Sequence, residues 1–232
     1  MGQQITIKNM LSDDFAYEEA IKALRTNIRY CGSNIRVVML TSSQQNEGKS
    51  SLVSTLARSI AETGSKTLLL DADIRKSVLA VRHQADQDVM GLSQYLSGQQ
   101  KLEEVLCSTN IDNLDMIFSG PYAPNPAELL EEEAFDKLIQ WARSEYDYVI
   151  IDTPPITSVI DAAIIAKACD GVALVVESGA IGYRMAQSAK KQLEKTGSRI
   201  LGVVLNRVGS KNSGYYGKYY GKYYGKYAKY GG

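Results

Sequence analysis

Three stretches carry residue types that together can handle a chain of phosphates. The first runs Thr41-Ser42-Ser43-Gln44-Gln45-Asn46-Glu47-Gly48-Lys49-Ser50-Ser51, follows an apolar run, and closes the pattern G-x-x-x-x-G-K-[ST]. In that pattern the loop turns its backbone N–H groups inward and the next helix adds the positive end of its dipole. The backbone of Gln45, Asn46, Glu47, Gly48, Lys49, Ser50 and Ser51 therefore reads as a cradle for an anion. Lys49 would reach the β- and γ-phosphates of a nucleotide. The Ser50 hydroxyl would ligate Mg²⁺, which takes oxygen donors and keeps several waters. Ser43 stands where the pattern has its first glycine, and Asn46, a residue that tolerates the left-handed region, is placed to supply the bend.

The second stretch is Asp71-Ala72-Asp73-Ile74-Arg75, at the end of the apolar run Lys66-Thr67-Leu68-Leu69-Leu70. Strand side chains alternate, so two carboxylates two residues apart share a face and can meet a γ-phosphate and its metal. The other reading is an ordinary polar loop with an Asx turn. The third is Asp152, which closes Tyr148-Val149-Ile150-Ile151 and occupies the position of the acid that holds Mg²⁺ in P-loop enzymes. An aspartate ending a strand is common. Its weight comes from standing beside the other two.

The elements that must position these residues alternate in type. Strands are predicted over 35–40, 66–70, 146–152, 171–176 and 200–205, and helices over 49–63, 160–168 and 181–195. Leu52, Leu56, Ile60 and Ala61 form the apolar face of the first of these helices, and Gly64 stops it. Continuous Val/Ile/Leu strands between helices imply an α/β fold with a mostly parallel sheet covered on both faces, and ligands in such sheets bind at the strands' carboxyl ends. All three stretches fall there. Residues 1–12 read as a loosely held lead-in. A helix over 15–31, capped by Asp13 or Asp14, would bury Phe15, Ala20, Ala23, Leu24 and Ile28. On it Glu19, Lys22 and Arg25 form one charged stripe, read as a solvated face or a subunit contact. Between 76 and 126 the pattern is weak: short helices over 91–96 and 102–106, a strand over 114–118 and a proline-rich loop over 120–126. A single long helix follows, over 127–144.

Composition narrows the classes. At 232 residues and 44% hydrophobic, residues 1–208 suit one α/β domain. Cys31, Cys107 and Cys169 are far apart and odd in number, which argues against a disulfide framework or a metal cluster and fits a reducing cytoplasm. A single histidine, His83, excludes histidine-rich metal sites. No apolar run approaches the ~20 residues of a membrane span, and no signal-peptide pattern opens the chain. The net charge of zero hides an asymmetry: residues 209–232 hold five lysines and no acid, so residues 1–208 carry −5. Charge alone would draw the basic tail toward an acidic body.

That tail repeats with period four and contains Tyr215, Tyr216, Tyr219, Tyr220, Tyr223, Tyr224, Tyr227 and Tyr230, eight of the chain's 15 tyrosines. It lacks large aliphatic residues and cannot build a core. On composition it reads as an aromatic linker, a single-strand nucleic-acid binder or an adhesive tail.

Taken together, the three stretches and the tyrosine cluster resemble the bacterial tyrosine kinases of capsule and exopolysaccharide biosynthesis, in their stand-alone Gram-positive form. Their fold is of the P-loop NTPase type, in the branch that includes the MinD and ParA ATPases. The resemblance implies a kinase domain over 1–208, with an oligomerisation helix at about 13–31, and a flexible acceptor tail over 209–232. Within it, the first stretch corresponds to Walker A, the second to Walker A′ and the third to Walker B. ATP and Mg²⁺ are implied. Lys49, Asp71, Asp73 and Asp152 would be catalytic, with Asp71 as candidate base and Asp73 second, and Ser50, Asp73 and Asp152 would hold the metal. Asn206 would lie near the base. The tail tyrosines would be phosphorylated between subunits of a homo-oligomer, a ring in contact through Glu19, Lys22 and Arg25. A membrane-embedded adaptor, a phosphotyrosine phosphatase and other protein tyrosine substrates are implied as partners, with no nucleic acid, and a cytoplasmic protein recruited to the inner face of the membrane. Where the family has Pro-Gly this chain has Gln45-Asn46, and where it has a first arginine on the helix this chain has Lys22. The alternatives are a MinD/ParA-like ATPase, against which Gln44 stands at the signature-lysine position, and a non-catalytic scaffold with an interaction tail.

Overall fold

A computed structural model describes residues 3–7, 15–83 and 89–208. In chain order the strands are β1 (Gln3–Ile5), β2 (Val37–Ser42), β3 (Thr67–Asp71), β4 (Leu106–Thr109), β5 (Leu114–Ile117), β6 (Tyr148–Asp152), β7 (Gly171–Glu177) and β8 (Ile200–Asn206). The helices are α1 (Phe15–Tyr30), α2 (Lys49–Ala61), α3 (Leu79–Arg82), α4 (Leu92–Leu96), α5 (Leu102–Val105), α6 (Pro126–Glu131), α7 (Glu133–Glu145), α8 (Asp161–Ala166) and α9 (Tyr183–Lys195).

The strands form one sheet in the order β1-β4-β5-β3-β6-β2-β7-β8. Every pairing is parallel except β4 with β5. The predicted mostly parallel sheet is therefore present, with one edge reversed.

Alternation along the central strands divides the interior in two. Val37, Met39, Leu68, Leu70, Val149 and Ile151 face a core shared with α6, α7, α8 and α9. Val38, Leu40, Leu69 and Ile150 face the opposite core, shared with α1 and α2. Each strand thus buries both faces, which is why its sequence is apolar without alternation.

Several expectations are corrected. The lead-in is not loose throughout: Gln3–Ile5 pair with β4, and the Ile7 N–H donates to Asn110 Oδ1 at 2.7 Å. Three residues beside a reversed edge strand give too short a pattern to recognise. On α1 the buried residues are Ile21 and Ile28, with Leu24 partly buried between them, while Phe15, Ala20 and Ala23 are exposed. The i, i+3, i+7 set of larger side chains wins over a stripe built on alanines. The helix expected over 102–106 is a single turn that passes directly into β4 at Leu106. The long helix over 127–144 is two, broken at Glu132, whose ψ of 148° is extended. The break lets α6 pack on α8 while α7 packs along β6.

Candidate active site

β2 and α2 bracket the first stretch. Asn46 has φ of 67° and Gly48 φ of 77°, so the loop takes two left-handed residues in three, and Asn46 supplies the predicted bend. At Gly48 a β-carbon would lie 2.4 Å from Asn206 Nδ2, so glycine is required there for space as well as for φ.

The loop is braced from beneath by a residue that sequence reading placed only in its backbone. Glu47 is 1% exposed. Its carboxylate accepts the Ser43 hydroxyl at 2.8 and 2.9 Å, the Gln44 N–H at 2.9 Å and, across the sheet, the Glu177 N–H at 3.1 Å. Asn206 Nδ2 donates to the Glu47 carbonyl at 2.8 Å. Asn206, expected near a nucleotide base, is thus occupied on its amide nitrogen by the loop. Thr157 Oγ1 donates to the Ser43 carbonyl, and the Ile156 N–H donates to the Ser42 carbonyl at 3.0 Å. Ser43 earns its place at the first-glycine position as a donor to this brace.

Lys49, Asp71, Asp73 and Asp152 are brought to one end of the sheet. Parallel pairing sets Asp71 level with Asp152 on β3 and β6, and Leu40 of β2 level with Asp152 on its other side. Lys49 Nζ donates to Asp152 Oδ1 and lies 3.3 Å from Ser50 Oγ. Asp71 is fully buried, and its carboxylate accepts the Ser77 hydroxyl and, at 3.2 Å, the Asp73 N–H. Burial first, then the Asp152 charge, pushes the Asp71 carboxyl up to about 7. Burial also raises Asp73, whose carboxylate accepts the Lys76 N–H at 3.0 Å.

A cavity of about 220 Å³ opens over the loop. Its walls include Gln45, Asn46, Gly48, Lys49 and Ser50 on one side and Asp73 on the other, closed by Pro154 and Pro155. Asp71, Asp152, Ser51 and Asn206 stand behind this surface rather than on it. Arg75, Lys76, Arg82 and Arg207 also line it. With Lys49 they make five cations against Asp73 and the inward-turned Glu47. The net −5 of the body is therefore not the charge of the cavity, whose rim is basic. Whole-domain charge averaged over the site hid this. Among the described residues no three His, Cys, Asp or Glu side chains cluster at metal-binding spacing. Ser50, Asp73 and Asp152 offer oxygen donors at this end of the sheet, beside Asp71, a chemistry that suits an ion that keeps waters and shares phosphate oxygens.

The other predicted groups lie elsewhere. On α1 the Lys22 ammonium donates to Glu19 at 2.7 Å on the surface. Arg25 turns inward, its Nη1 donating to the Ser59 carbonyl at 2.7 Å and hydroxyl at 2.9 Å, so it ties α1 to α2. The eight tail tyrosines lie outside the described residues. All three cysteines are free thiols. No described helix is long and apolar enough to cross a membrane.

Comparison with known proteins is consistent with this arrangement. A family model described as an AAA domain matches residues 35–200. The tyrosine-protein kinase CpsD of Streptococcus agalactiae is 44% identical over 206 residues, covering 87% of this chain and 90% of its own. The kinase domain of the Escherichia coli tyrosine kinase ETK superposes with a TM-score of 0.78 at 34% identity, over 82% of this chain and 74% of that one. The septum site-determining protein MinD of Pyrococcus horikoshii, with a TM-score of 0.67 at 22% identity over 81% of this chain and 76% of that one, shares the fold.

Proposed function

The chain belongs to the bacterial tyrosine-protein kinases, and on that premise we propose that its cavity takes the phosphates of ATP and passes the terminal phosphoryl group to tyrosines of its own tail. The observation that carries this reading is the convergence of Lys49, Ser50, Asp73 and Asp152 beside a loop already shaped for an anion.

Lys49 would exchange its bond to Asp152 for the β- and γ-phosphate oxygens, neutralising charge that grows as the group moves. Ser50, Asp73 and Asp152 would hold Mg²⁺, directly or through water, and the ion would offset charge on the phosphates. The bond between the γ-phosphorus and its bridging oxygen breaks, leaving ADP, while the tyrosine oxygen bonds to phosphorus. The phenolic proton passes to a carboxylate. A free phenol ionises near pH 10, so a positioned base helps. Asp71 is first by basicity, since burial and the Asp152 charge push its carboxyl up to about 7. Asp73 is first by access, since it lines the cavity. Asp71→Asn and Asp73→Asn separate the two: the base is the one whose loss removes the rise of rate through neutral pH.

The acceptors are Tyr215, Tyr216, Tyr219, Tyr220, Tyr223, Tyr224, Tyr227 and Tyr230. Delivery from a neighbouring subunit, through an oligomer joined by the α1 surface that includes Glu19 and Lys22, overcomes a rim that does not attract lysines by charge. A membrane-embedded adaptor would recruit and activate the kinase at the inner membrane face, a phosphatase would reset it, and the cycle would regulate capsular or extracellular polysaccharide synthesis and export.

Intact mass after incubation with ATP and Mg²⁺ tests the reading. Successive 80-dalton additions to the wild type, absent from Lys49→Met and from a variant with all eight tail tyrosines changed to phenylalanine, are expected. Additions that persist in Lys49→Met would overturn it.

A further inference from the structure

Arg75 is held differently from the other cations of the cavity. Its Nε donates to Asp161 Oδ2 at 2.7 Å and its Nη2 to Asp161 Oδ1 at 3.0 Å, a two-point fork. Asp161 is fully buried in the first turn of α8. Arg207, on the opposite side of the cavity, makes one bond of 2.8 Å to a Glu177 that is itself 24% exposed. A single solvated contact leaves a long side chain free to wander, whereas a fork onto a buried carboxylate fixes the plane of the guanidinium. Two of the five N–H groups of Arg75 are spent on Asp161, and three remain for the cavity that the residue lines.

The placement has a desolvation cost that the fork to Arg75 offsets only in part. A carboxylate buried at 0% exposure is expensive to desolvate, and an apolar residue at position 161 would serve packing as well. The pair also ties the loop after β3 to the first turn of α8.

We propose that Asp161 is a positioning residue for phosphoryl transfer, holding Arg75 so that its unspent N–H groups bear on the group in flight. Arg75 then acts beside Lys49 on the charge that builds as the γ-phosphoryl leaves ADP. Fixed donors aimed at developing charge favour the transition state over the bound nucleotide. The inference rests on the kinase reading above, and its test is arranged so that the two can fail separately.

The experiment uses the full chain with Asp161→Asn, Arg75→Gln, the double variant and Lys49→Met. Four quantities are read: autophosphorylation rate at saturating ATP, affinity for MgADP, affinity for MgADP with aluminium fluoride, and the rate at which phenylglyoxal modifies Arg75. Asp161→Asn should cut the rate about tenfold and Arg75→Gln about a hundredfold, while MgADP affinity stays within about twofold. Affinity for the aluminium fluoride complex should fall with the rate. The double variant should be no slower than Arg75→Gln, because Asp161 acts through Arg75. Without nucleotide, Asp161→Asn should make Arg75 react faster with phenylglyoxal. Losses that multiply in the double variant, or a fall in MgADP affinity equal to that for the aluminium fluoride complex, overturn the proposal. If Asp161→Asn does not fold, Arg75→Gln decides alone: a wild-type rate overturns it. Lys49→Met that still transfers phosphate would sink the kinase reading instead.

Discussion

On the loop wall of the cavity a buried carboxylate, Glu47, accepts hydrogen bonds from three neutral donors, the Ser43 hydroxyl and the Gln44 and Glu177 N–H groups. The acid wall is Asp73, with Asp71 and Asp152 level on neighbouring strands behind it and Lys49 bonded to Asp152. The first arrangement is satisfied by the chain itself. In the second, burial first and then the charge of the neighbouring Asp152 push the Asp71 carboxyl up to about 7. One wall is rigid scaffolding for an anion, and the other is a set of charges that gains when more positive charge arrives. Carboxylates buried at one end of one sheet can thus do opposite work, and the difference is set by whether neutral donors or other carboxylates surround them.

The sharpest way to break this comparison is at Lys49, which belongs to both walls. Lys49→Met should lower phosphoryl transfer by at least about a thousandfold, read as the rate of mass addition. A rate within tenfold of wild type would mean that the walls do not act as one site. Next in size, Glu47→Ala strands three donors and should destabilise the protein by about 3 kcal/mol in denaturant unfolding. A change below about 0.5 kcal/mol would show that the loop does not depend on this brace.

The acid wall is tested by pH, with chelator present and no nucleotide. Between about pH 4 and pH 7 the folded protein keeps the Asp71 proton that the unfolded chain has released. The folded state therefore binds more protons, and this contribution to stability falls as pH rises through that window. Asp71→Asn removes the slope, so its stability relative to wild type should grow by on the order of 2 kcal/mol from pH 5 to pH 8. A constant difference would show that Asp71 is ionised throughout. The smallest effect belongs to Asn46. Asn46→Gly should change stability by less than about 0.5 kcal/mol, and Asn46→Val should cost about 1–2 kcal/mol, because a branched side chain resists the left-handed backbone.

What could be read before folding follows the same division. The residues of the site were legible because each stands within its own stretch: Gly48-Lys49-Ser50, Asp71-x-Asp73 and Asp152 need only local spacing and a strand before them. The long β2, β3, β6 and β7 strands were legible for the same reason, as runs of apolar residues with helices between. Partners distant in sequence were not. Nothing near Glu47 announces that its carboxylate meets the Glu177 N–H, and nothing near Arg75 points to Asp161. An acid in the first turn of a short helix was the only available signal for Asp161, and it reads as a helix-dipole partner. The charged stripe of α1 was recognised as a stripe, yet the inward turn of Arg25 onto Ser59 depends on how α1 lies across α2. The reversed edge was lost because β1 is only three residues long and β4 begins at Leu106, inside a stretch whose spacing reads as a short helix.

The bond from Asn206 to the Glu47 carbonyl also sets where tension enters the fold. Asn206 is the last residue of β8, and only Arg207 and Val208 separate it from the tyrosine-rich segment. A pull on that segment reaches the sheet first at the residue whose amide holds the phosphate loop, with three peptide bonds between Asn206 and residue 209. The tail is tethered to the floor of the site by its shortest mechanical path.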